Sequence, residues 1–337
     1  MKRILISLIS EQTIPNLKLI NEFKTNVDSF IFVTTKAMEE KLKNRSDWII
    51  KAATISKNKI KRIVVNQNSM SDIEEKLFEI DVDSSCEYIV NITGGTKLMS
   101  IAALNYFREF KNVKVFYVPI GLTTYRQIYP HIDKPEKEFN NNISLKEYLN
   151  VYGLKILSSS NRVYNYKLSK ELMQKVISEN SDFEKIPALI NAHNNYDEAM
   201  KAYYSGKWFE EYIYMTIKEN LNLKTSEIAT SVNIQNPNTK NEFDVMFVYK
   251  NTIYVVECKA YHGENNIKSK IENGLYKLGA LDDDFGLRAN SIFITTFNLF
   301  DYNKGINNTM IKRGIDLDVM FLQLKDIVNN KFLNKIK

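Results

Sequence analysis

Asn241-Glu242-Phe243-Asp244-Val245-Met246-Phe247-Val248-Tyr249-Lys250-Asn251-Thr252-Ile253-Tyr254-Val255-Val256-Glu257-Cys258-Lys259 reads as two apolar runs folded back about Lys250-Asn251. A turn centred there sets Tyr249 opposite Thr252; counting outward, Asp244 faces Glu257 and Glu242 faces Lys259. Carboxylates directly opposite each other, with Cβ atoms roughly 5 Å apart, destabilise an antiparallel pair. A divalent cation between them makes the arrangement tolerable. Glu257 and Lys259 are two apart and share a strand face, whereas Cys258 points the other way. One face of the hairpin carries Phe243, Val245, Phe247, Tyr254, Val256 and Cys258, the other Met246, Val248, Ile253 and Val255. A hairpin apolar on both faces is covered on both sides, so its charges are partly buried and need partners or a metal. Ion pairing among the hairpin's own charges is the plain alternative; the preferred reading is a metal site with a lysine beside it.

Outward from the hairpin, a second α/β unit begins at Gly206. It comprises helix 207–222, strands near 225–234, 242–249 and 252–260, helix 266–281, strand 291–296, helix 300–312 and strand 316–321. Residues 1–130 alternate strands at 2–10, 29–34, 61–65, 86–92 and 113–118 with helices near 15–26, 36–54, 70–80 and 97–110. Continuous apolar strands separated by helices imply a parallel sheet covered on both faces, a Rossmann-like layout. Pro130, Pro135 and Asn140-Asn141-Asn142 mark an inter-domain joint around 130–145, and 143–205 reads as mainly helical and polar. The expected division is 1–140, a helical linker region 141–205, and 206–337.

Composition excludes several classes. With 337 residues, 44% hydrophobic and 26% charged, the chain is an ordinary globular one of two domains. Its two cysteines, Cys86 and Cys258, lie inside apolar runs, which argues against a disulfide framework and fits a reducing cytoplasm. The apolar start is cut short by Glu11, so it reads as a first buried strand rather than a signal peptide. No stretch approaches the ~18 apolar residues of a membrane span. A net charge of +6 is compatible with a polyanionic partner. His131, His193 and His262 show no zinc spacing.

In parallel α/β sheets ligands bind beyond the carboxyl ends of the strands. Here those ends carry Ser10-Glu11-Gln12-Thr13, Thr34-Thr35-Lys36 and Asn91-Ile92-Thr93-Gly94-Gly95-Thr96-Lys97. The last is a strand–Gly-Gly–helix turn: two glycines permit close backbone approach, Thr96 can cap, and a helix N-terminus favours anions. It is neither a Walker A loop nor GxGxxG. With Ser10, Gln12 and Thr35 on the same edge, it is a candidate site for a phosphate-bearing ligand.

Taken together, four features resemble one architecture: the first strand with Ser10-Glu11-Gln12, the Thr93-Gly94-Gly95-Thr96-Lys97 turn, the Gly206-Lys207-Trp208-Phe209-Glu210 helix start and the Asn241–Lys259 hairpin. The family is that of the CARF-domain, PD-(D/E)XK-nuclease ancillary effectors of type III CRISPR systems. The resemblance implies a Rossmann-like CARF domain (1–140) that senses cyclic oligoadenylate, most of all cyclic tetra-adenylate, through Ser10, Glu11, Gln12, Thr35, Thr93, Gly94, Gly95, Thr96 and Lys97. It also implies a restriction-endonuclease-like α/β domain (206–337) and a homodimer that cleaves DNA, RNA or both in antiviral defence. No proline precedes Asp244, although one often does in this superfamily.

The same resemblance implies a further acid from the preceding helix. Phe209, Tyr212, Ile213, Thr216 and Ile217 define a buried stripe at 3.6-residue spacing; Glu210 lies beside it and Glu211 points away, so Glu210 is the candidate and Glu211 is expected to be solvated. Asp244, Glu257, Glu210 and, as the family implies, the Cys258 backbone carbonyl would then hold Mg²⁺ or Mn²⁺. Lys259, its pKa depressed beside the metal, would position the attacking water, and Glu242 would pair with Lys259 or join a second metal. On the helix after the hairpin, Asn273, Tyr276 and Lys277 are possible substrate contacts, and Asp282-Asp283-Asp284 is read as a solvated loop end. Two other readings are compatible with the residues: a non-catalytic nucleotide-responsive DNA-binding regulator, which has no use for an Asp244–Glu257 pair, and a repair or restriction-type endonuclease indifferent to cyclic oligoadenylate.

Overall fold

The computed structural model describes residues 1–40, 44–119, 122–131, 135–178, 197–235, 240–260, 266–280, 285–286, 289–299 and 303–336. Asp282-Asp283-Asp284, His193 and His262 lie outside the described residues. Met1–Lys155 form one compact unit, and the described residues from Ile156 onward form a second. Among the described helices none is long and apolar enough to cross a membrane.

The first unit runs β1 (Lys2–Leu8), α1 (Ile14–Phe23), β2 (Ser29–Thr35), α2 (Arg45–Ala53), β3 (Ile60–Val65), α3 (Met70–Phe78), β4 (Cys86–Asn91), α4 (Lys97–Phe107) and β5 (Val113–Tyr117). Then follow β6 (Thr124–Tyr129), β7 (Lys137–Glu138) and α5 (Leu145–Val151). Strand order is β3-β2-β1-β4-β5-β6-β7, and the first five strands are parallel. The second half of β1 is buried because helices cover both its faces: Leu5, Ile6 and Leu8 are all fully buried. The chain builds β2 and β3 on one side of β1 and then returns to lay β4 on the other. That reversal is the topological switch point, where the strand ends part and leave a crevice.

The Rossmann-like expectation is met, with differences. The helix expected over 36–54 divides into a 3₁₀ turn, Lys36–Glu39, and α2; Arg62 ties the two by pairing with Glu39 at 2.8 Å and Asp47 at 2.7 Å. The stretch expected as an inter-domain joint carries β7 and leads into α5, whose Leu145, Tyr148, Leu149 and Val151 are buried in the first unit.

The second unit opens with β8 (Lys155–Ser160) and α6 (Tyr166–Ser178), so the region expected as a helical linker also supplies an edge strand. Next come α7 (Glu198–Ala202), a π-helical turn (Tyr203–Lys207), α8 (Trp208–Asn220), β9 (Ile228–Gln235), β10 (Lys240–Tyr249), β11 (Thr252–Lys259), α9 (Ile267–Gly279), β12 (Ala289–Thr295), α10 (Lys304–Asp316) and β13 (Val319–Leu322). The sheet order is β13-β12-β11-β10-β9-β8, antiparallel across β9-β10-β11 and parallel across β11-β12-β13. Trp208, Phe209, Ile213 and Ile217 of α8 share one core with Val245, Phe247, Tyr254, Val256 and Cys258 of the hairpin. Met246, Val248, Ile253 and Val255 are buried on the other face. The hairpin is therefore covered on both sides, as its two apolar faces require.

Candidate active site and effector pocket

β10 and β11 pair in the expected register, from Tyr249↔Thr252 to Val245↔Val256. Lys250 (φ 49°) and Asn251 (φ 64°) both adopt the left-handed conformation that a tight two-residue hairpin turn requires. The ladder stops at Val245. Asp244, expected squarely opposite Glu257, instead accepts the Cys258 backbone N–H on Oδ2 at 2.7 Å. Charge repulsion explains the difference: a regular ladder would hold the two carboxylates face to face, and turning one onto a peptide donor relieves that. Glu242 is exposed and lies opposite Asn233 of β9. Among the described residues it makes no ion pair with Lys259, contrary to expectation, and its charge is felt by Lys207.

Glu257 is only 4% exposed, and two ammonium groups hold it. Lys259 Nζ lies 2.7 Å from Oε1 and Lys277 Nζ, from α9, 2.6 Å from Oε2. Lys259 also reaches within 4.0 Å of Asp244 Oδ2. Phe243 packs edge-on to Phe285, and the Lys277 ammonium stands 5.6 Å from its ring centre. Glu210, in the first turn of α8, accepts from Lys207 Nζ at 2.9 Å, and Lys207 also bonds Ser231 Oγ at 3.2 Å.

The electrostatics join these groups into one site. Burial, then the charges of Glu257 and Glu210, push the Asp244 carboxyl up to about 7. Burial likewise raises Glu210, against the pull of Lys207 and Lys259 and with the repulsion of Glu257. For Lys259 burial works downward, but the fields of Glu257 and Asp244 outweigh it and its pKa is raised, not depressed as expected. The Cys258 thiol is buried in the core, and burial followed by the acids drives its pKa well up, so only the backbone of this residue can serve the site. Asp244 and Glu210, both raised in the field of Glu257, make with it a set of hard oxygen donors that has the chemistry of a divalent-cation site. Among the described residues no three His, Cys, Asp or Glu side chains already stand as a metal cage. Glu257 spends both oxygens on lysines, and Asp244 spends one on a peptide.

In the first unit, the switch point brings Ser10, Glu11 and Gln12 at the end of β1 beside Thr93–Lys97 at the end of β4, with Thr35 ending the adjacent β2. Gly94 is dictated by close approach, since a Cβ there would sit 2.0 Å from the Leu8 carbonyl oxygen, and Gly95 has φ +75°. Thr96 Oγ1 caps α4 by accepting from Met99 N, and Thr93 Oγ1 accepts from Val118 N at 2.7 Å. Ser10 Oγ donates to the Gln12 carbonyl; Glu11 and Lys97 are exposed. Among the described residues, buried polar atoms without a partner collect around this edge: Thr35 Oγ1, Asn16 Oδ1 and Asn91 Nδ2. A groove of about 500 Å³ next to Thr35 is lined by Lys36, Asn66, Gln67 and Asn68. The rule that ligands bind at strand ends applies equally to β3, so Asn66-Gln67-Asn68 could have been found from sequence.

Residues 4–148 match the model of the Card1 CARF domain, and residues 197–334 match the Card1-like endonuclease domain. This chain belongs to the Card1-type CARF nucleases. Among solved structures it is similar to Can2 from Sulfobacillus thermosulfidooxidans in complex with cyclic tetra-adenylate, at 18% identity, with 99% of each chain covered and a TM-score of 0.75. It is also similar to protein VC1899 from Vibrio cholerae (16% identity, 96% of this chain and 94% of that one, TM-score 0.74). A type III CRISPR defence DNA nuclease activated by cyclic oligoadenylate matches at 14% identity over 88% of this chain and 45% of its own, TM-score 0.59. No curated protein matches the sequence.

Within the endonuclease domain one expectation is reversed. Glu211 is not solvated: it is 7% exposed and accepts hydrogen bonds from the backbone N–H groups of Tyr164 and Asn165, from Ser169 Oγ at 2.6 Å and from Tyr203 Oη at 3.0 Å. α6 packs on the second face of α8, so α8 is buried well beyond a single stripe. Lys207 was missed because it precedes the helix; the π-helical turn and a bond to Ser231 of β9 hold it where it feels the charges of Glu210, Asp244 and Glu242. Lys277 meets Glu257, and Tyr276 is exposed beneath the Arg313 guanidinium.

Proposed function

We propose that this Card1-type nuclease is metal-dependent and is switched on by a cyclic oligoadenylate, cyclic tetra-adenylate first among them, in type III CRISPR antiviral defence. The observation that carries the catalytic half is the opened end of the hairpin, where the charge of Glu257 raises both Asp244 and Glu210 beside Lys259. Asp244, Glu257, Glu210 and the Cys258 carbonyl would hold Mg²⁺ or Mn²⁺; bound there, the ion would acidify a water and neutralise charge on the phosphate. Lys259, kept protonated by the acids, would orient the attacking water and balance negative charge on the phosphate. A cation held by Glu257 would compete with Lys259 and Lys277 for its two oxygens, and a freed Lys277 ammonium would be available to a phosphodiester.

For the effector half, support comes from the switch-point crevice with its unpartnered buried polar atoms, and from the cyclic tetra-adenylate held by the similar Can2. Leu98 (39% exposed) and Ile101 (52% exposed) on α4 give that end of the CARF domain an apolar surface for a second copy. A ring of fourfold repeat suits the twofold axis of a homodimer. DNA, RNA or both remain the substrate, because metal-water hydrolysis needs no 2′-hydroxyl. The test is incubation with RNA, single-stranded DNA and supercoiled plasmid, each with and without cyclic tetra-adenylate and Mn²⁺. Cleavage only when both are present is expected; full activity with EDTA, or without the effector, rejects the corresponding half of the proposal.

A further inference from the structure

A cavity of about 320 Å³ opens beside Glu210 in the endonuclease domain, and no role assigned so far uses it. Its volume is at the small end of ligand pockets, the scale of one nucleotide rather than a duplex. Tyr164, Arg162 and Lys207 line it. The Tyr164 side chain is 56% exposed, and its ring rests against Tyr203 with centroids 4.9 Å apart. Its hydroxyl donates to Met200 Sδ at 3.0 Å, and its main chain is anchored, because the Tyr164 and Asn165 backbone N–H groups both bind the buried Glu211 carboxylate. An exposed aromatic fixed this firmly adds little to the core and offers a flat, pre-set platform. Arg162 is exposed, and among the described residues it pairs with no carboxylate. Lys207 touches Glu210 at 2.9 Å, and both line the cavity with Tyr164, so a cation and an acid of the proposed cleavage centre share its wall.

We propose that this cavity is a nucleotide subsite of the nuclease. It takes the unpaired nucleotide next to the scissile phosphate, with the base stacked on Tyr164 and the neighbouring phosphate on Arg162 and Lys207. The proposal rests on the reading of Asp244, Glu257 and Glu210 as the cleavage centre. Stacking accepts any base, because every base has a π-face, while guanidinium and ammonium groups read the backbone alone. Tyr164 is thus a positioning residue: it sets which phosphodiester reaches the acids without taking part in the chemistry.

The experiment is an abasic scan of a single-stranded oligonucleotide cut by the full-length protein with Mn²⁺ and cyclic tetra-adenylate. For wild type, removing the base at one position relative to the cut should lower kcat/KM by roughly 5- to 150-fold, the loss expected for one stacked base. Tyr164→Leu should show that loss on the intact oligonucleotide and no additional loss at the abasic position; Tyr164→Trp should restore both. Arg162→Gln should flatten the salt dependence of binding by about one ion. Equal abasic sensitivity in wild type and Tyr164→Leu overturns the subsite and leaves the nuclease standing. If wild type cuts nothing, the cleavage centre is what fails. The subsite is then decided by fluorescence anisotropy of the same oligonucleotide in EDTA, where an unchanged Kd for Tyr164→Leu and Arg162→Gln rejects it.

Discussion

Asp244 is the residue on which the proposed chemistry turns. Its carboxyl is held near 7 against 3.8 for an ordinary aspartate, because folding places it in a desolvated pocket with Glu257 and Glu210. A folded-state value raised above the unfolded one means that folding favours the protonated acid. That contribution is complete below pH 3.8 and is lost as pH rises through about 7, where the fold must hold a buried anion among anions. A gap of this size is on the order of a few kcal/mol. In EDTA, wild type should therefore melt below Asp244→Asn at pH 8, with the two curves converging near about pH 4; saturating Mn²⁺ should lift wild type only. Identical melting profiles at every pH would show that the carboxyl is not strained. In the cleavage assay, Asp244→Asn and Glu257→Gln should each lose essentially all activity while cyclic tetra-adenylate binding, read by calorimetry, is unchanged. Either variant cutting at the wild-type rate with Mg²⁺ restored would move the site elsewhere.

Two adjacent acids on α8 divide the work at the level of elements. Glu210 looks toward the hairpin's acids, and Glu211 looks into the seam with α6, where it satisfies four donors. Removing a buried carboxylate that serves several donors costs on the order of 3–5 kcal/mol. Glu211→Ala should lower the urea midpoint sharply, and its residual folded fraction should still depend on metal. Glu210→Gln should do the opposite: nearly wild-type stability, with activity lost or requiring much higher Mn²⁺. The Gly94 turn is the other element-scale device. Gly94→Ala forces a Cβ into the Leu8 carbonyl, which must part β1 from β4 at the switch point. The expected result is reduced stability together with weakened cyclic tetra-adenylate binding, whereas the same substitution at exposed Gly305 should do neither.

On the scale of the whole molecule, the proposed activation of a homodimer requires that the effector prefer one arrangement of its two chains over another. A coupling of about 1–3 kcal/mol corresponds to a 5- to 150-fold change in rate or affinity. Calorimetry should give one ring per two chains. Ile101→Asp, placed on the exposed face of α4, should shift the protein to monomer in analytical ultracentrifugation and abolish effector-stimulated cleavage, while leaving the nuclease domain folded. A variant that stays dimeric and fully inducible would place the contact on another surface.

The amino-acid sequence by itself determined the two α/β units, the parallel sheet, the tight turn at Lys250-Asn251, the hairpin register and its two buried faces. Each of these is a local matter of periodicity, apolar pattern and turn geometry. Strand pairing also grouped Asp244, Glu257 and Lys259, and Glu210 joined them through the family resemblance and the helical stripe. The tertiary structure alone decided the rest. β8 and the antiparallel β6 and β7 hid in polar stretches because an edge strand needs no continuous apolar run. Glu211 was misread because a helical wheel counts one covering surface, and α6 supplies a second. Lys277 and Lys207 came to the site from elements distant in sequence. The break in the ladder at Asp244 depends on the balance between strand pairing and the repulsion of buried carboxylates, a balance that exists only once three acids from separate elements share one desolvated space.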